Sequence, residues 1–543
     1  GVLAMPVEAL RVVNGDVGGG FGLRLFLQGE PVVAAFAALR LGRPVRWRAT
    51  RGESFLADLA GRDHLTRAEL ALDDDLRFIG LRVHTDSNLG AYTSQMGANI
   101  AWHGSSMATG VYDIPAAFAC TRLVVSNSTP TDAYRGAGRP EASYLIERLV
   151  DHAARRLGVC PRELRRRNFV APTAFPYASA LGQRYDSGDY PRLLARGWER
   201  ADGEGFPERR EASARRGLRR GLGIATYVEV CAAYGREDVE VCLRADGTVT
   251  VRVGTQSTGQ GHETAYADLV AARLAIGPQH VRVLQGDTAR IPTGGGTGGS
   301  RTLGIGGSAL AAALDRVVDA GARMAGELLD VDLARVEFAA GRYRVSGTDR
   351  TVSLAAVVRE TWRDRALPAE VAPGLRCTGS HAARGGTFPS GCHICEVEVD
   401  VETGEVRPVR YTIVDDMGRV VNPMLLEGQI VGGTAQGLSQ ALLEEMAYDA
   451  GSGQPLTATF ADYGIVRAGQ LTRIDFSCEG IPSPRNPLGV KGAGEAGTIG
   501  APAALVNAAI DALAPLGVER LDMPLTPSRV WRAIARAAGT VRR

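Results

Sequence analysis

The sequence predicts an α+β fold assembled from strand–turn–strand units that alternate with helices. Three such units are recognisable as alternating apolar residues on either side of a turn, at residues 66–90, 239–251 and 397–406. Aspartate or glycine occupies each turn, as in Asp246-Gly247. Helical patterns follow each hairpin. This order is typical of an α+β protein rather than of the parallel sheet of a Rossmann fold.

The composition is that of an ordinary soluble globular protein. The chain has 543 residues, of which 45% are apolar and 22% charged, and its length suits about two to four domains. A net charge of +2 gives no reason to expect nucleic acid or a membrane surface as a partner. We find no apolar run that could span a bilayer and no signal peptide, so the sequence predicts a cytoplasmic protein.

The eight cysteines are scattered, and only Cys392 and Cys395 form a C-x-x-C pair. The residues around this pair alternate as in a strand, which favours a structural role over the alternative of a metal or redox site. No ferredoxin-type cysteine run exists, so we expect no iron–sulfur cluster in this chain.

In the first half, a strand-like segment at Ala9–Val13 leads into the glycine cluster at residues 18–22. Helices are predicted from Pro31 to a stop at Gly42, and from Pro140 onward. The stretch from 201 to 220 is rich in Arg and Glu, and we interpret it as a solvated surface connection. It divides the chain into predicted domains at 1–205 and 206–543.

In the second half, glycine-rich loops at 254–262 and 294–302 each precede a helical pattern. A further helix begins near Pro423 and carries glycines four and five residues apart, which serve either helix packing or close approach to a cofactor. The last helix begins at Pro527. Several of these loops therefore present backbone N–H groups at or near a helix N-terminus, which attracts anions.

The loop that organises the chain runs from Leu488 to Gly497 and sets Glu495 among four glycines. A helix follows it, with Pro502 expected in the first turn. Glycines allow a large ligand to approach closely, so the layout suits a catalytic acid or base held against a cofactor. The alternative is a glutamate in a solvated turn.

Polar side chains that bond phosphates or amides accompany the glycine loops, namely Arg135, Gln260, Thr297, Ser300, Arg301 and Lys491. Together these loops predict a large ligand with a pyrophosphate group. The sequence lacks a P-loop, a zinc spacing and a G-x-S-x-G nucleophile elbow. Gly492-x-Gly494-x-x-Gly497 matches the dinucleotide fingerprint, but a proline-rich segment precedes it instead of a buried strand, so a nicotinamide enzyme is only a minor alternative.

These residues resemble the molybdenum-binding large subunit of the xanthine oxidase, aldehyde oxidase and carbon monoxide dehydrogenase family, over essentially the whole chain. Seven blocks match in family order: Gly18-Gly19-Gly20-Phe21-Gly22, Ala133-Tyr-Arg135-Gly136-Ala-Gly-Arg139, Gly259-Gln260-Gly261-His262-Glu-Thr264, Gly296-Thr297-Gly-Gly-Ser300-Arg301, Val414-Asp-Asp-x-Gly418 with Asn422-Pro423, Gly428-Gln429 with Gln436-Gly437, and Lys491-Gly492-x-Gly494-Glu495-Ala-Gly497.

The resemblance implies two molybdopterin-binding domains and a molybdenum–molybdopterin cytosine dinucleotide held by its own dithiolene, with no protein ligand to the metal. Glu495 matches the family's general base. The residues implied to lie around the metal or to hold the cofactor are Gly19, Gly20, Phe21, Gly22, Arg135, Gly136, Gln260, Gly261, His262, Thr297, Ser300, Arg301, Lys491, Gly492 and Gly494.

The family oxidises small molecules with water as the oxygen source and passes electrons to an iron–sulfur subunit and an FAD subunit. The resemblance therefore implies a heterotrimer or a dimer of heterotrimers. The family's N-terminal hammerhead domain is not visible here, so we expect either a fragment or a separately supplied domain, and whether the chain is active alone stays open.

Two departures from the family narrow the substrate. Copper-containing carbon monoxide dehydrogenases carry a cysteine where this chain has Gly136, and without that thiolate a copper site is not expected. Purine oxidases carry a glutamate where this chain has Leu25. The sequence therefore predicts oxidation of an aldehyde or an N-heteroaromatic carbon. Alternatives are a form II-like carbon monoxide dehydrogenase homologue and a non-catalytic paralogue that only binds partners.

Overall fold

A computed structural model describes residues 2–25, 27–291 and 293–539 of the protein, and it confirms the predicted α+β class. In these ranges the helices are α1 (Gly29–Leu41), α2 (Arg51–Ala57), α3 (Gly97–Ser106), α4 (Arg139–Leu157), α5 (Pro161–Asn168), α6 (Tyr190–Arg200), α7 (Phe206–Ala214), α8 (His262–Leu274), α9 (Ser308–Leu329), α10 (Leu354–Thr361), α11 (Pro423–Leu442), α12 (Gly497–Leu513) and α13 (Pro527–Ala537).

The strands form several separate sheets. They are β1 (His64–Leu72), β2 (Phe78–Gly90), β3 (Ala117–Val125), β4 (Tyr177–Ala178), β5 (Arg184–Tyr185), β6 (Arg219–Val228), β7 (Arg236–Leu243), β8 (Val249–Val253), β9 (Val281–Leu284), β10 (Val336–Ala339), β11 (Arg342–Val345), β12 (Thr351–Ser353), β13 (Cys377–Ala382), β14 (Ser390–Val399), β15 (Val406–Asp416) and β16 (Ile474–Cys478).

Each of the three predicted hairpins is an antiparallel pair: β1 with β2, β7 with β8, and β14 with β15. They belong to different sheets. The strand orders are β1-β2-β3, β13-β7-β8-β9 and β16-β15-β14-β6, beside a small β10-β11-β12 sheet and the β4-β5 pair. The C-x-x-C cysteines lie in β14 and are buried, as the strand interpretation predicted.

Helix placement from the sequence is mostly confirmed. Helix α1 ends at Gly42, whose φ of 61° gives the left-handed C-terminal residue that glycine tolerates best. Two predictions are wrong. Residues Ala9–Val13 form no strand beyond one isolated bridge at Val13, and Pro502 lies inside α12, because that helix begins five residues earlier, at Gly497.

The stretch from 201 to 220 is not the solvated connection that its charge suggested. It contains α7 and the start of β6, and three of its arginines, Arg209, Arg216 and Arg220, pair with the buried carboxylates of Glu396 and Glu398. Arg209 and Arg220 both donate to the Glu396 carboxylate, whose side chain is 2% exposed. Buried carboxylates need such partners, so these arginines stabilise the interior. The domain boundary at 205 and 206 stays a prediction.

The central sheet is covered on both faces. One hydrophobic core joins β6, β14 and β15 to α11, α12 and the C-terminal helix. A second core packs the opposite face of the same sheet, through Ile224, Cys392 and Ile394, against α4, α6 and the β1-β2-β3 sheet. A third core lies between the β7-β8-β9 strands and helices α8 and α9.

Helix α12 lies at the centre of this arrangement. Among the described residues, Gly497–Leu516 is the one helical stretch long and apolar enough to cross a membrane, but 78% of its most apolar window is buried inside the protein. Its composition is therefore that of a core helix. Its N-terminus directly follows Glu495.

Candidate active site around Glu495

The Glu495 carboxylate is held by three donors from two distant loops. Its Oε1 accepts hydrogen bonds from the Gly136 backbone N–H at 3.1 Å and from Arg139 Nη2 at 3.1 Å. Its Oε2 accepts from the Ser300 hydroxyl at 2.6 Å. The side chain is 14% exposed. The structure therefore favours a positioned, nearly buried carboxylate over the solvated-turn alternative.

The first turn of helix α12 fixes the backbone of Glu495. The Thr498 N–H and hydroxyl both donate to the Glu495 backbone carbonyl, at 3.0 and 2.6 Å. The positive end of a helix dipole favours a negative charge next to it. The arrangement therefore fixes the carboxylate at the start of the helix, where a proton acceptor would be held in place.

Arg135 ties the loop before α4 to the loop that carries Glu495. Its Nε donates to the Gly494 carbonyl at 2.6 Å, and its remaining donors reach Gln436 Oε1 and the Gln429 carbonyl on α11, each at 3.0 Å. Burial lowers the pKa of Arg135. Its guanidinium lies over the Phe21 ring, with 5.4 Å between the guanidinium carbon and the ring centroid.

The contact between Arg135 and Phe21 brings the glycine cluster at 18–22 close to the Glu495 loop. Gly22 lies against the Ala133 carbonyl, and Phe21 remains 49% exposed, so one face of its ring is open. Leu25 is close to the loop that carries Ser300, since its side chain lies 3.4 Å from the Cβ position of Gly298. The exposed side of the Glu495 region therefore has an apolar border.

The loops at 254–262 and 297–302 are connected to each other by hydrogen bonds. Thr297 Oγ1 accepts from the Gln256 N–H at 3.1 Å, and His262 Nε2 lies 3.1 Å from the Thr302 hydroxyl. Burial lowers the pKa of His262 to about 4, so the ring is neutral at pH 7. Gln260 turns its Oε1 toward the Thr258 N–H at 2.6 Å.

Two polar atoms of the loop at 254–262 are buried and have no hydrogen-bond partner within the described ranges: Gln256 Oε1 and His262 Nδ1. Buried polar groups in proteins are normally satisfied, so each of these atoms calls for a partner from outside the chain. Both lie in the same loop as Gln260 and Gly261. The site therefore offers unused hydrogen-bonding capacity to a polar ligand.

Two predicted cofactor-binding cations are engaged inside the protein. Arg301 Nη2 donates to Glu237 Oε1 at 2.6 Å, and Lys491 Nζ donates to Asp416 Oδ2 at 2.7 Å. The side-chain exposures of Arg301 and Lys491 are 6% and 0%. Their charges are therefore compensated, and in this structure they fix the loops. Direct contact with a cofactor stays a prediction for both.

Close backbone approach explains glycine at two of the predicted positions. At Gly492 a Cβ would lie 2.5 Å from the Ser300 carbonyl oxygen, so any side chain would push the Ser300 loop away from Glu495. Gly136 has φ +95°, and a Cβ there would lie 2.4 Å from Pro140 Cγ. A cysteine at position 136 would therefore be strained.

The structure thus brings most of the predicted residues to one region. Gly136 and Ser300 each donate a hydrogen bond to Glu495, Gly494 and Phe21 contact Arg135 beside it, and Gly492 packs on Ser300. Gln260, Gly261, His262 and Thr297 lie on the adjoining loops, and Gly19, Gly20 and Gly22 complete the Phe21 turn. Their individual roles stay predictions.

Sequence reasoning missed two members of the site. Arg139 was noted only as part of a matching block, and Glu229 was not noted at all. Glu229 directly follows β6 in a stretch whose apolar neighbours make it look like any strand end. Its contact with Arg139, at 3.2 Å, joins residues 90 positions apart, so no local pattern could reveal it.

Within the described ranges, no group of three or more His, Cys, Asp or Glu could hold a metal ion.

Several glycine-bordered loops that meet at one nearly buried carboxylate define a protein that binds a large cofactor. The comparisons give the family. Residues 1–169 and residues 196–472 each match a family described as a molybdopterin cofactor-binding domain. The chain belongs to the molybdopterin-binding large subunits of the molybdenum-dependent oxidoreductases of the xanthine dehydrogenase family.

Individual relatives agree with this family. The chain is 34% identical to the carbon monoxide dehydrogenase large chain of Hydrogenophaga pseudoflava, with 98% of this chain and 68% of the relative covered. It is 33% identical to the nicotine 6-hydroxylase large subunit of Paenarthrobacter nicotinovorans, with 96% and 66% covered. Quinoline 2-oxidoreductase from Pseudomonas putida 86 superposes with a TM-score of 0.92 at 34% identity, over 98% of this chain and 69% of that one.

Proposed function

We propose that Glu495 is the general base of a molybdenum hydroxylase that oxidises an electron-poor carbon, with water as the oxygen source. The observation that carries this proposal is the triple support of its carboxylate by Gly136, Arg139 and Ser300 at the N-terminus of α12. Three donors hold the side chain in one position. Such a carboxylate can accept a proton at a defined place.

The residues around Glu495 fit a pterin cofactor. When bound, molybdopterin would supply the two-electron redox chemistry and the metal-activated oxygen. The chain would supply hydrogen-bonding groups for the polar edges of the cofactor. Gln256 Oε1 and His262 Nδ1 are unpartnered buried atoms beside Gln260, and a helix N-terminus borders the same loop. Phe21, which contacts Arg135, would be among the residues that hold the cofactor.

Within the site, the residues of this chain perform three tasks. Arg135 and the glycine contacts hold the Glu495 loop against α11 and the Ser300 loop, which fixes the position of the base. Arg139 and Ser300 donate to the carboxylate and fix its orientation. Leu25 and Phe21 border the open side with apolar surface and reduce access of water.

We further propose the cytosine dinucleotide form of the cofactor, located between the units 1–205 and 206–543, and electron transfer to iron–sulfur and FAD subunits in the cytoplasm. Loops from both units meet at Glu495, which supports a cofactor shared between them. The relatives named as large chains or large subunits support assembly with partners. The eight cysteines are free, as is usual in a reducing compartment.

For the substrate we propose an N-heteroaromatic compound ahead of an aldehyde. Two of the relatives compared above are named for nicotine and quinoline, both N-heteroaromatic molecules. The apolar Leu25 beside the Ser300 loop offers no anchor for a polar purine, whereas a flat apolar ring can pack on it and on the open face of Phe21.

A second candidate is carbon monoxide, because a carbon monoxide dehydrogenase large chain is 34% identical to this chain. Copper would require a soft ligand such as a thiolate. Gly136 takes that position, and its φ of +95° and the Pro140 ring leave no room for a Cβ. Carbon monoxide is therefore the second choice.

Substitution of Glu495 tests this function. The complex with its partner subunits is purified, its molybdenum content is measured, and dye reduction is assayed with N-heteroaromatics, aldehydes and carbon monoxide. Glu495→Gln keeps the shape but not the charge, so we expect full molybdenum content and kcat/KM lowered by about 100-fold or more. Glu163→Gln, at an exposed glutamate on α5, is the matched control.

Two results would contradict the proposal. Turnover by Glu495→Gln at the rate of the Glu163→Gln control would remove Glu495 from the reaction. Absence of molybdenum from the intact wild-type complex would instead support a non-catalytic subunit that only binds partners.

A further inference from the structure

A second carboxylate shares the arginine that supports Glu495. Arg139 Nη2 donates to Glu229 Oε1 at 3.2 Å and to Glu495 Oε1 at 3.1 Å. The three groups come from three elements: Arg139 is the first residue of α4, Glu229 directly follows β6, and Glu495 precedes α12. One guanidinium therefore joins two acids that are 266 positions apart in the sequence.

Glu229 lies deeper than Glu495. Its side chain is 0% exposed, compared with 9% for Arg139 and 14% for Glu495. Its second oxygen, Oε2, is buried and has no hydrogen-bond partner in the part of the chain that the structure describes. An ionised carboxylate with one unsatisfied buried oxygen is costly, whereas a protonated one is much less so.

Burial and the charge of Glu495 raise the pKa of Glu229, and together they outweigh Arg139, which lowers it. The other titratable groups that face it are Cys231, Tyr227 and Arg135. Burial raises the pKa of both the Cys231 thiol and the Tyr227 hydroxyl, so neither is charged near neutral pH. Burial, and next the charge of Glu495, raise the pKa of Glu229 to about 8. Near pH 7 the protonated form of Glu229 therefore predominates.

We propose that Glu229 is a positioning residue that holds a proton next to the active site and, through Arg139, sets the proton affinity of Glu495. The inference rests on the proposed role of Glu495 as the base. It assigns Glu229 no contact with substrate or cofactor. Its effect arises because two acids compete for one guanidinium.

The direction of the effect follows from the charges. While Glu229 is neutral, the charge of Arg139 stabilises the Glu495 anion alone. When Glu229 ionises, it draws on the same guanidinium and adds a negative charge nearby, and both changes raise the proton affinity of Glu495. A stronger base accelerates proton removal, so kcat/KM should rise by about threefold as the pH passes through the ionisation of Glu229.

The first test is the pH profile of kcat/KM for the complete enzyme complex. Wild type should show the rise, centred near pH 8. Glu229→Gln keeps an acceptor for Arg139 but cannot ionise, so the rise near pH 8 should be absent from its profile. Glu396→Gln changes another buried, arginine-paired carboxylate, on β14, and should keep the rise.

The second test does not depend on turnover. The infrared carbonyl stretch of protonated carboxylic acids is compared at about pH 6.5 and about pH 9.5, on either side of the ionisation. The wild-type difference spectrum should show loss of one acid band, and that loss should be missing from Glu229→Gln. Identical difference spectra for the two proteins would overturn the inference.

These tests separate the inference from the function on which it rests. Full activity in Glu495→Gln refutes the base itself. An inactive Glu495→Gln combined with a rise that persists in Glu229→Gln refutes only the role of Glu229. If Glu229→Gln does not fold, the wild-type profile and spectrum decide: absence of both the rise and the band loss near pH 8 contradicts the inference.

Discussion

Glu495 depends on neighbours that the sequence places far away. Glycines around it indicated a carboxylate with little cover, and the resemblance supplied its role as a base. The Ser300 hydroxyl that binds it comes from 195 positions earlier. Sequence patterns report local spacing, so the residue itself was predictable and its hydrogen-bond partners were not.

The Ser300 contact gives a prediction at this scale. Ser300→Ala removes one of three donors to the carboxylate, which then loses part of its orientation. A hydrogen bond to a charged group is worth about 1.5 kcal/mol or more, so we expect kcat/KM to fall about tenfold, with little change in thermal stability. Steady-state kinetics and thermal unfolding measure the two effects.

A matched control for this prediction is Ser346→Ala, which removes an exposed serine-to-glutamate hydrogen bond of 2.8 Å to Glu337. That variant should keep wild-type kinetics. An unchanged kcat/KM in Ser300→Ala would show that the hydroxyl does not orient the base.

Among the elements, α12 and β6 determine the position of Glu495. Gly221 and Gly223 on β6 allow the helix backbone to lie directly on the strand, since a Cβ at Gly223 would be 2.1 Å from the Ala504 carbonyl oxygen. Because backbone atoms cannot move aside as a flexible side chain can, this contact sets the height of α12 above the sheet.

We therefore expect Gly223→Ala to lower the unfolding free energy by about 3 kcal/mol through overpacking, and to reduce activity because α12 carries Glu495 at its N-terminus. Thermal unfolding and dye reduction of the complex provide the measurements. Gly52→Ala in α2 is the control, because no atom lies within 4 Å of its Cβ position. Equal unfolding temperatures for the two variants would refute this account of the contact.

The elements also show how far local patterns reach. The hairpins, α1 and α4 follow from alternation, helical spacing and the stop at Gly42, all of which are local signals. The stretch at 201–220 was predicted to be a solvated connection because of its charge. Some of its arginines instead pair with acids such as Glu396, on a strand much later in the sequence. The Ala9–Val13 segment has strand-like residues but only one bridging partner, at Asp287.

The molecule as a whole is organised so that its halves share a core and a site. Ile224 and Cys392 from the second half pack into the hydrophobic core of the first, and the loops before α4, α9 and α12 meet at Glu495. Such sharing was predictable only from the resemblance, because it depends on which face of the central sheet each half covers. The position of the Glu495 carboxylate therefore depends on the complete fold.

The most direct test of the central claim is an experimental structure of the complete complex with its cofactor bound. We expect the pterin to contact the loops at 18–22, 135–138, 259–262 and 297–301, and Glu495 to be the carboxylate nearest to the molybdenum. A cofactor bound away from these loops, or a molybdenum atom with a different carboxylate beside it, would show that Glu495 is not the base.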